Sequence, residues 1–299
     1  MSFYDFCSGA GIGASGIEKY FSINLAVDSN KDAISSYRLN HQSTKTICRS
    51  VLDLDYLQGD FESIIALLAT PPCQDFSRLN KNRSNDTERA NLVQEFIRAV
   101  TEIKPTFGLF ENVYSVPKVR KESVINQLEQ LGYKVISKVI NAHDYGSAQI
   151  RKRWLVTFSK TKHIFPEPVM DHQRKLAKDV LDYSVTQSEI NPRAKTLTKI
   201  QSLESGKWVA IEDQDYKVYF VVDENKPLPA IVNPTKLRYI FPDRTRYLSL
   251  KELLRAFGLS DYKLVGTLSS KGQQIANGFP VELTEAFAKA FFKEFGDLS

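Results

Sequence analysis

A regular alternation of short apolar runs with longer amphipathic stretches, over roughly the first 160 residues, is the strongest indication of fold in this chain. The apolar runs that predict strands are Phe3–Cys7, Asn24–Val27, Ser63–Ala69, Phe107–Phe110, Lys134–Val139 and Trp154–Phe158. Residues 89–103 and 119–131 instead carry apolar side chains at helical spacing. Strands that alternate with helices predict an α/β fold, in which helices flank a parallel sheet.

Polar and reactive residues follow these strands at the points where the strands end. A glycine cluster, Gly9–Gly13, follows the first strand, and Asp28 follows the second. Pro71–Cys73 and Glu111 come directly after two later strands. Ligands of open α/β sheets bind beyond the carboxyl ends of the strands. The sequence therefore predicts one site that contains a cofactor loop, a thiol and a carboxylate.

The pattern changes near residue 160, after which prolines become frequent and helical spacing weakens. Two β-like runs, 208–211 and 218–222, are separated by the turn-prone residues 212–215. Helical spacing returns in residues 246–258 and 281–295. We therefore expect a small, strand-rich second domain, followed by a C-terminal segment that packs back on the first domain.

Composition and cysteine content exclude several classes of protein. Three cysteines with no C-x-x-C pair provide neither a disulfide framework nor a zinc site, so we expect a reduced, intracellular, metal-free protein. The longest apolar run, 64–69, is far too short to span a bilayer, and no secretory signal is evident. The net charge of +5 permits a nucleic-acid partner without requiring one.

The glycine cluster alone leaves several interpretations open. Glycines between a strand and a helix allow close approach of a nucleotide, and an acid about twenty residues later can bind ribose hydroxyls. A glycine-rich turn without a nucleotide and a nicotinamide-dependent oxidoreductase are both compatible with this pattern. Neither explains the sequence Pro71-Pro72-Cys73-Gln74.

The Pro-Pro-Cys segment is more specific, because two prolines hold the chain extended and present the thiol at the end of a strand. A cysteine nucleophile reacts as a thiolate, which requires partial exposure and positive surroundings. We interpret Cys7 and Cys48, which lack such a setting in the sequence, as structural cysteines.

Five segments in order along the chain carry a family resemblance. They are Asp5–Gly11 (DFCSGAG), Pro71–Ser77 (PPCQDFS), Glu111–Val113 (ENV), Gln149–Arg153 (QIRKR) and Gln274–Gly278 (QIANG). With these segments the chain resembles the DNA cytosine-5 methyltransferase family, and Arg246–Arg255 is similar to a further motif of that family. The chain departs from the family pattern at Cys7, at Ser50-Val51 and in the order Ala276-Asn277-Gly278.

The resemblance implies a Rossmann-like, S-adenosylmethionine-dependent methyltransferase that acts on double-stranded DNA as a cytoplasmic monomer without an obligate protein partner. The implied catalytic residues are Cys73, Glu111, Arg151 and Arg153. The implied cofactor-binding residues are Phe6, Gly9, Gly11, Gly13, Asp28, Ser50, Val51, Pro71 and Asn277. The implied DNA contacts are Ser77, Arg78, Lys81, Arg83 and Gln149.

Methylation at position 5 of cytosine explains why each implied catalytic residue is needed. Position 5 of cytosine is a poor nucleophile, and addition of a thiolate from Cys73 at position 6 makes the ring electron-rich. A carboxyl group, Glu111 by the resemblance, can stabilise charge at the ring nitrogen N3. Arg151 and Arg153 are two residues apart, so on a strand they would share a face and could grip the cytosine O2 and a phosphate. A solvated basic strand edge is the alternative.

The target base must leave the duplex to reach such a pocket. The polar segment 77–86 is similar to the family's mobile DNA-facing loop, with a plain surface loop as the alternative. We expect a catalytic domain at 1–163, a target-recognition domain at 164–264 and a returning segment at 265–299. A tRNA-methylating relative and a catalytically silent binding protein are the rival functions.

Overall fold

The computed structural model describes residues 2–56, 66–72, 88–211 and 217–296, and for 88–91, 211 and 217 it describes the backbone alone. The strands in chain order are β1 (Ser2–Phe6), β2 (Ser22–Asp28), β3 (Lys45–Cys48), β4 (Ala66–Ala69), β5 (Phe107–Val113), β6 (Lys134–Asn141), β7 (Gln149–Ile150), β8 (Lys152–Ser159), β9 (Trp208–Ile211), β10 (Lys217–Val221), β11 (Leu228–Pro229) and β12 (Leu237–Ile240). The α-helices are α1 (Ala14–Ile17), α2 (Lys31–Asn40), α3 (Glu88–Ile103), α4 (Lys118–Gln130), α5 (Ala194–Ile200), α6 (Leu250–Arg255), α7 (Leu268–Asn277) and α8 (Val281–Phe295).

The main sheet has the order β3-β2-β1-β4-β5-β8-β6 within the described residues. Strands β1 to β5 run parallel, as expected, but β8 is antiparallel to both β5 and β6. The expectation of a wholly parallel sheet was therefore wrong at this edge. Only about ten residues connect β6 to β8, and a short connection favours an antiparallel pair because a parallel pair needs a long crossover.

Each face of the sheet is covered by helices with apolar stripes. On one face, α3 contributes Phe96 and Val100, and α4 contributes Leu128. On the other face, α8 contributes phenylalanines at helical spacing, Phe287 and Phe291 among them. The returning C-terminal helix thus buries its apolar side against the sheet.

Close packing of α1 against α8 depends on one glycine. A Cβ atom at Gly16 would lie 2.1 Å from the Oγ1 of Thr284, so no larger residue fits without moving a helix. This contact holds the start of α1, and with it the end of the preceding glycine loop, against the C-terminal part of the chain.

The region after residue 163 contains a second small sheet of order β12-β10-β9. Its strands β9 and β10 fall on the two predicted β-like runs, and the turn predicted at 212–215 lies outside the described residues. The helix α6 is shorter than the predicted stretch 246–258 because it begins at the capping residue Ser249. No helix within the described residues is long and apolar enough to cross a bilayer.

Candidate active site

A cavity of about 380 Å³ lies beyond the carboxyl ends of β1, β2, β4 and β5. Its walls bring together residues from the glycine loop, the ends of four neighbouring strands and the segment after α7. Ten of the predicted site residues line it, namely Gly9, Gly13, Asp28, Ser50, Val51, Pro71, Glu111, Arg151, Arg153 and Asn277. Residues that were predicted at the ends of different strands therefore lie around one cavity at the same edge of the sheet.

The glycine loop is shaped by residues in the left-handed region of backbone conformation. Gly9 and Gly11 have φ angles of +56° and +83°, which glycine adopts without a steric penalty. Cys7 has a φ of +57°, which is unusual for a non-glycine residue. Its carbonyl accepts a hydrogen bond from the Thr70 hydroxyl at 3.0 Å, so the end of β4 holds this turn in place.

The thiol of Cys7 lines the cavity but is not prepared for nucleophilic attack. Burial raises its pKa far above the ordinary value for a thiol, and the nearby carboxylates of Asp28 and Asp5 raise it further. Cys7 therefore stays protonated, as the structural interpretation of this residue requires.

Asp28 joins the end of β2 to the glycine loop. Its Oδ2 accepts a hydrogen bond from the amide of Gly9, and its Oδ1 accepts one from the amide of Asn30, both at 2.8 Å. Burial raises the pKa of Asp28, and the two amide hydrogen bonds oppose that rise. Each carboxylate oxygen keeps a second lone pair that a ligand hydroxyl can use.

The cavity wall also carries a buried hydroxyl with no hydrogen-bond partner among the described residues, that of Ser8. Buried polar atoms are normally paired, so an orphaned hydroxyl in a cavity wall fits a site that binds a polar ligand. Together with the Asp28 carboxylate and the close backbone approach of Gly9, it fits a nucleoside cofactor with a charged amino-acid group.

Glu111 and Arg153 form an ion pair at the edge of the cavity. The Nε of Arg153 lies 2.6 Å from the Oε1 of Glu111, and both side chains are largely buried. The register of β5 and β8 produces this pair, since Arg153 is opposite Val113 and so lies diagonal to Glu111 on the same face. The pairing of β5 with β8 thus brings an acid and an arginine together at the cavity.

Arg151 takes a different position from the one the sequence suggested. It lies between β7 and β8, so the rule that places alternate strand residues on one face does not apply to it and Arg153. Its Nη1 donates to the carbonyl of Ile231 at 3.0 Å, and its Nη2 donates to the carbonyls of Ala276 and Gly278 at 2.7 and 3.0 Å. The guanidinium is therefore engaged by backbone from two distant segments.

Three other predicted contacts are also placed elsewhere. Gln149, expected at the DNA, is fully buried, donates to the carbonyl of Ala256 and accepts from the amide of Ile231. The ring of Phe6, expected at the cofactor, packs in the core against Tyr56. Gly11 is turned away from the cavity, towards a histidine discussed below. None of these three residues lines the cavity, so their positions do not support direct contact with a ligand there.

The remaining predicted residues, Cys73, Ser77, Arg78, Lys81 and Arg83, lie outside the described residues. Pro71 and Pro72, which precede the cysteine in the chain, line the cavity that contains Glu111. The carbonyl of Pro71 accepts a hydrogen bond from the side chain of Asn112 at 3.4 Å, so the ends of β4 and β5 are tied together here.

Sequence reasoning missed several residues that line the cavity, among them Ser8, Arg49, Thr70 and Phe279. Ser8 and Phe279 lie within or directly after motifs that were already recognised, so their positions in the chain were the available signal. Arg49 and Thr70 carry no signal beyond their location at strand ends.

A mixed sheet with seven strands in the described part of the chain, an antiparallel β8 and a polar cavity at the carboxyl ends of the parallel strands together define a Rossmann-like methyltransferase. Residues 1–293 match the family described as C-5 cytosine-specific DNA methylase. The chain belongs to this family, whose members are DNA cytosine-5 methyltransferases.

Two bacterial Type II methyltransferases are similar to this chain. The chain is 27% identical to the Type II methyltransferase M1.HphI of Haemophilus parahaemolyticus, over 98% of this chain and 87% of the relative. It is 33% identical to the Type II methyltransferase M.FnuDI of Fusobacterium nucleatum over 60% of this chain. That match covers only 54% of the relative's length. The Dnmt2 methyltransferase of S. pombe shares the fold, with a TM-score of 0.77, 16% identity and coverage of 99% of both chains.

Proposed function

We propose that this protein transfers a methyl group from S-adenosylmethionine to position 5 of a flipped-out cytosine within a short DNA sequence, through a covalent bond to Cys73. The observation that carries the proposal is the Glu111–Arg153 ion pair in the same cavity as the glycine loop and Pro71-Pro72. This reaction needs an acid, a cation and a thiol around one cytosine. The cavity contains the acid and the cation, and Pro71-Pro72, which directly precede Cys73, line it.

The cofactor-facing part of the cavity consists of the glycine loop, Asp28, Ser50, Val51 and Asn277. Asp28 would accept hydrogen bonds from ribose hydroxyls, and the Ser8 hydroxyl would bond to the polar amino-acid end. The bound cofactor supplies an electrophilic methyl group on a positively charged sulfur. The chain's own residues hold it at the ends of β1 and β2, next to the base-binding side of the cavity.

The base-facing part carries the covalent chemistry. The thiolate of Cys73 forms a bond to carbon 6 of cytosine, and the electron pair displaced onto the ring makes carbon 5 nucleophilic. After carbon 5 has gained the methyl group, a base removes its proton and the bond between sulfur and carbon 6 breaks. This restores the aromatic ring and releases Cys73 as the thiolate, and the proton from carbon 5 stays with the base.

Within this scheme the two arginines have different roles. Arg153, which pairs with Glu111 at the cavity edge, would contact the cytosine O2 and favour the Cys73 thiolate. Arg151, whose guanidinium donates to three carbonyls, acts as a positioning residue. It ties the start of β8 to Ile231 in the region after residue 163 and to Ala276 and Gly278 at the end of α7.

Replacing Glu111 with glutamine should slow methylation by roughly 10²-fold or more, because the amide keeps the shape but has no titratable proton to share with N3. Single-turnover rates measured with excess enzyme would report this step. Glu122→Gln is a matched control, since Glu122 forms only an exposed ion pair with Lys118 on α4. Equal rates for Glu111→Gln and the wild type would assign Glu111 a structural role.

Recognition of the DNA sequence is assigned to residues 164–264, and phosphate contacts to Ser77, Arg78, Lys81 and Arg83. The two bacterial relatives named above are Type II methyltransferases, which supports a place in restriction and modification inside the cell, where the enzyme has access to DNA. We propose that the enzyme acts as a monomer, as the resemblance to the DNA cytosine-5 methyltransferase family implies.

Methylation of duplex DNA should exceed methylation of folded RNA by a large factor when the two are compared at equal cytosine concentration. Initial rates with labelled cofactor, followed by bisulfite sequencing, would give both the preference and the target sequence. Raising the salt concentration should weaken the reaction on DNA steeply, because phosphate contacts supply much of the affinity. A strong RNA preference would favour the tRNA-methylating function, and no transfer to either substrate would favour a silent binding protein.

A further inference from the structure

A buried histidine lies directly beneath the glycine loop. His41 ends the helix α2, and its side chain is almost completely shielded from solvent. Its ring packs on Tyr37, with 4.6 Å between ring centroids, and lies so close to Gly11 that a Cβ atom there would come within 2.7 Å of it. The shape of the loop and the position of this imidazole therefore depend on each other.

The hydrogen bonds of His41 end on the backbone of the same loop. Its Nε2 lies 3.0 Å from the carbonyl of Gly11 and 2.8 Å from the hydroxyl of Tyr262. Tyr262 in turn donates its hydroxyl proton to the carbonyl of Ala10 at 2.6 Å. Two consecutive loop carbonyls are thus held by one imidazole, directly at Gly11 and through Tyr262 at Ala10.

The hydrogen-bonding partners of His41 determine which ring nitrogen donates to the loop. A carbonyl can only accept, and the single proton of Tyr262 is already donated to Ala10, so Nε2 of His41 must carry a proton. On the other side of the ring, Nδ1 lies 2.6 Å from the Oε2 of Glu18. Glu18, which follows α1, therefore orients the ring so that its Nε2 faces the loop.

We infer that His41 is a positioning residue for the cofactor loop, because its hydrogen bonds hold the Ala10 and Gly11 carbonyls and so keep the loop in the conformation that lines the cavity. The cavity-lining residues Gly9 and Gly13 flank these two carbonyls. The inference rests on the proposed function only in that the loop is taken to bind S-adenosylmethionine.

The variant His41→Phe tests this assignment, because phenylalanine keeps the ring on Tyr37 but loses the hydrogen bond to the Gly11 carbonyl and the one to Tyr262, the residue that holds the Ala10 carbonyl. Loss of two hydrogen bonds should weaken S-adenosylmethionine binding about tenfold in isothermal titration without DNA. The KM for the cofactor should rise correspondingly, while kcat at saturating cofactor changes by less than about twofold. His143→Phe, which loses only a bond to the carbonyl of Ser147, is the matched control and should bind as the wild type does.

Amide hydrogen exchange of residues 9–13 in the cofactor-free protein is the second readout, and exchange in this loop should be faster in His41→Phe than in the wild type. If that variant does not fold, Tyr262→Phe keeps the bond of His41 to the Gly11 carbonyl but loses the link from His41 through the Tyr262 hydroxyl to Ala10, and it should show a smaller loss of the same kind. Wild-type affinity and wild-type exchange in a folded variant would overturn the inference. A wild-type protein that binds no S-adenosylmethionine would instead contradict the proposed function, and the exchange comparison would still decide the role of His41.

Discussion

Replacing Cys73 with serine should reduce methyl transfer by at least about 10³-fold while leaving the affinity for S-adenosylmethionine nearly unchanged. A serine hydroxyl is almost entirely protonated at neutral pH and attacks carbon 6 of cytosine far more weakly than a thiolate does. The residues assigned to cofactor binding are not altered by the substitution. Transfer rates with labelled cofactor and binding measured by isothermal titration would separate the two effects.

A trapped adduct gives the same prediction a direct readout. DNA that contains 5-fluorocytosine at the target position should form a stable covalent complex with the wild type, because fluorine cannot leave carbon 5 as the proton does. Cys73→Ser should form none. Cys48→Ser is the matched control, since Cys48 is exposed at the end of β3 and does not line the cavity, so its adduct should form normally. A wild type that methylates a site but cannot be trapped there would contradict the covalent mechanism.

The parts of the fold that follow from local periodicity could be predicted from the sequence. The strands β1 and β5, the helices α3 and α8, and the two runs that became β9 and β10 all lie within a few residues of the predicted stretches. The antiparallel direction of β8 was not predicted, because the predicted strands 134–139 and 154–158 left 14 residues between them, enough for a parallel crossover, whereas only about ten residues separate β6 from β8. The short strand β3 was missed, since its four residues KTIC alternate too briefly to give a clear pattern.

The same distinction between local pattern and long-range contact separates the site residues that could be predicted from those that could not. Glu111 and the glycine loop were predicted because strand ends converge at one edge of an open sheet, and this depends on topology alone. Arg151 and Gln149 were assigned to ligands from their motif, but both bond to backbone that is more than 75 residues away in sequence. The role of His41 could not be predicted for a similar reason, because its hydrogen-bond partner Tyr262 lies 221 residues further along the chain.

The region after residue 163 also contains a buried ion pair whose energetic importance can be judged from its surroundings. Arg246 and Glu252 are shielded from solvent and form two hydrogen bonds with each other, at 2.7 and 2.9 Å. Glu252 additionally accepts from the amide and hydroxyl of Ser249 at the start of α6, and Arg246 donates to the carbonyl of Asp182 at 2.8 Å. The pair therefore joins three segments of this region.

Replacing Arg246 with methionine should lower the free energy of unfolding by about 3–5 kcal/mol, because it leaves the Glu252 carboxylate buried without its cation. Urea denaturation followed by circular dichroism would measure the change. Arg255→Met is the matched control, since Arg255 pairs with Asp182 in a partly exposed position where such pairs contribute about 0–1 kcal/mol. Replacing Glu252 with leucine as well should recover part of the loss, because the stranded charge is removed, although the donors of Ser249 stay unpaired. If Arg246→Met costs no more than Arg255→Met, the buried pair does not stabilise this region.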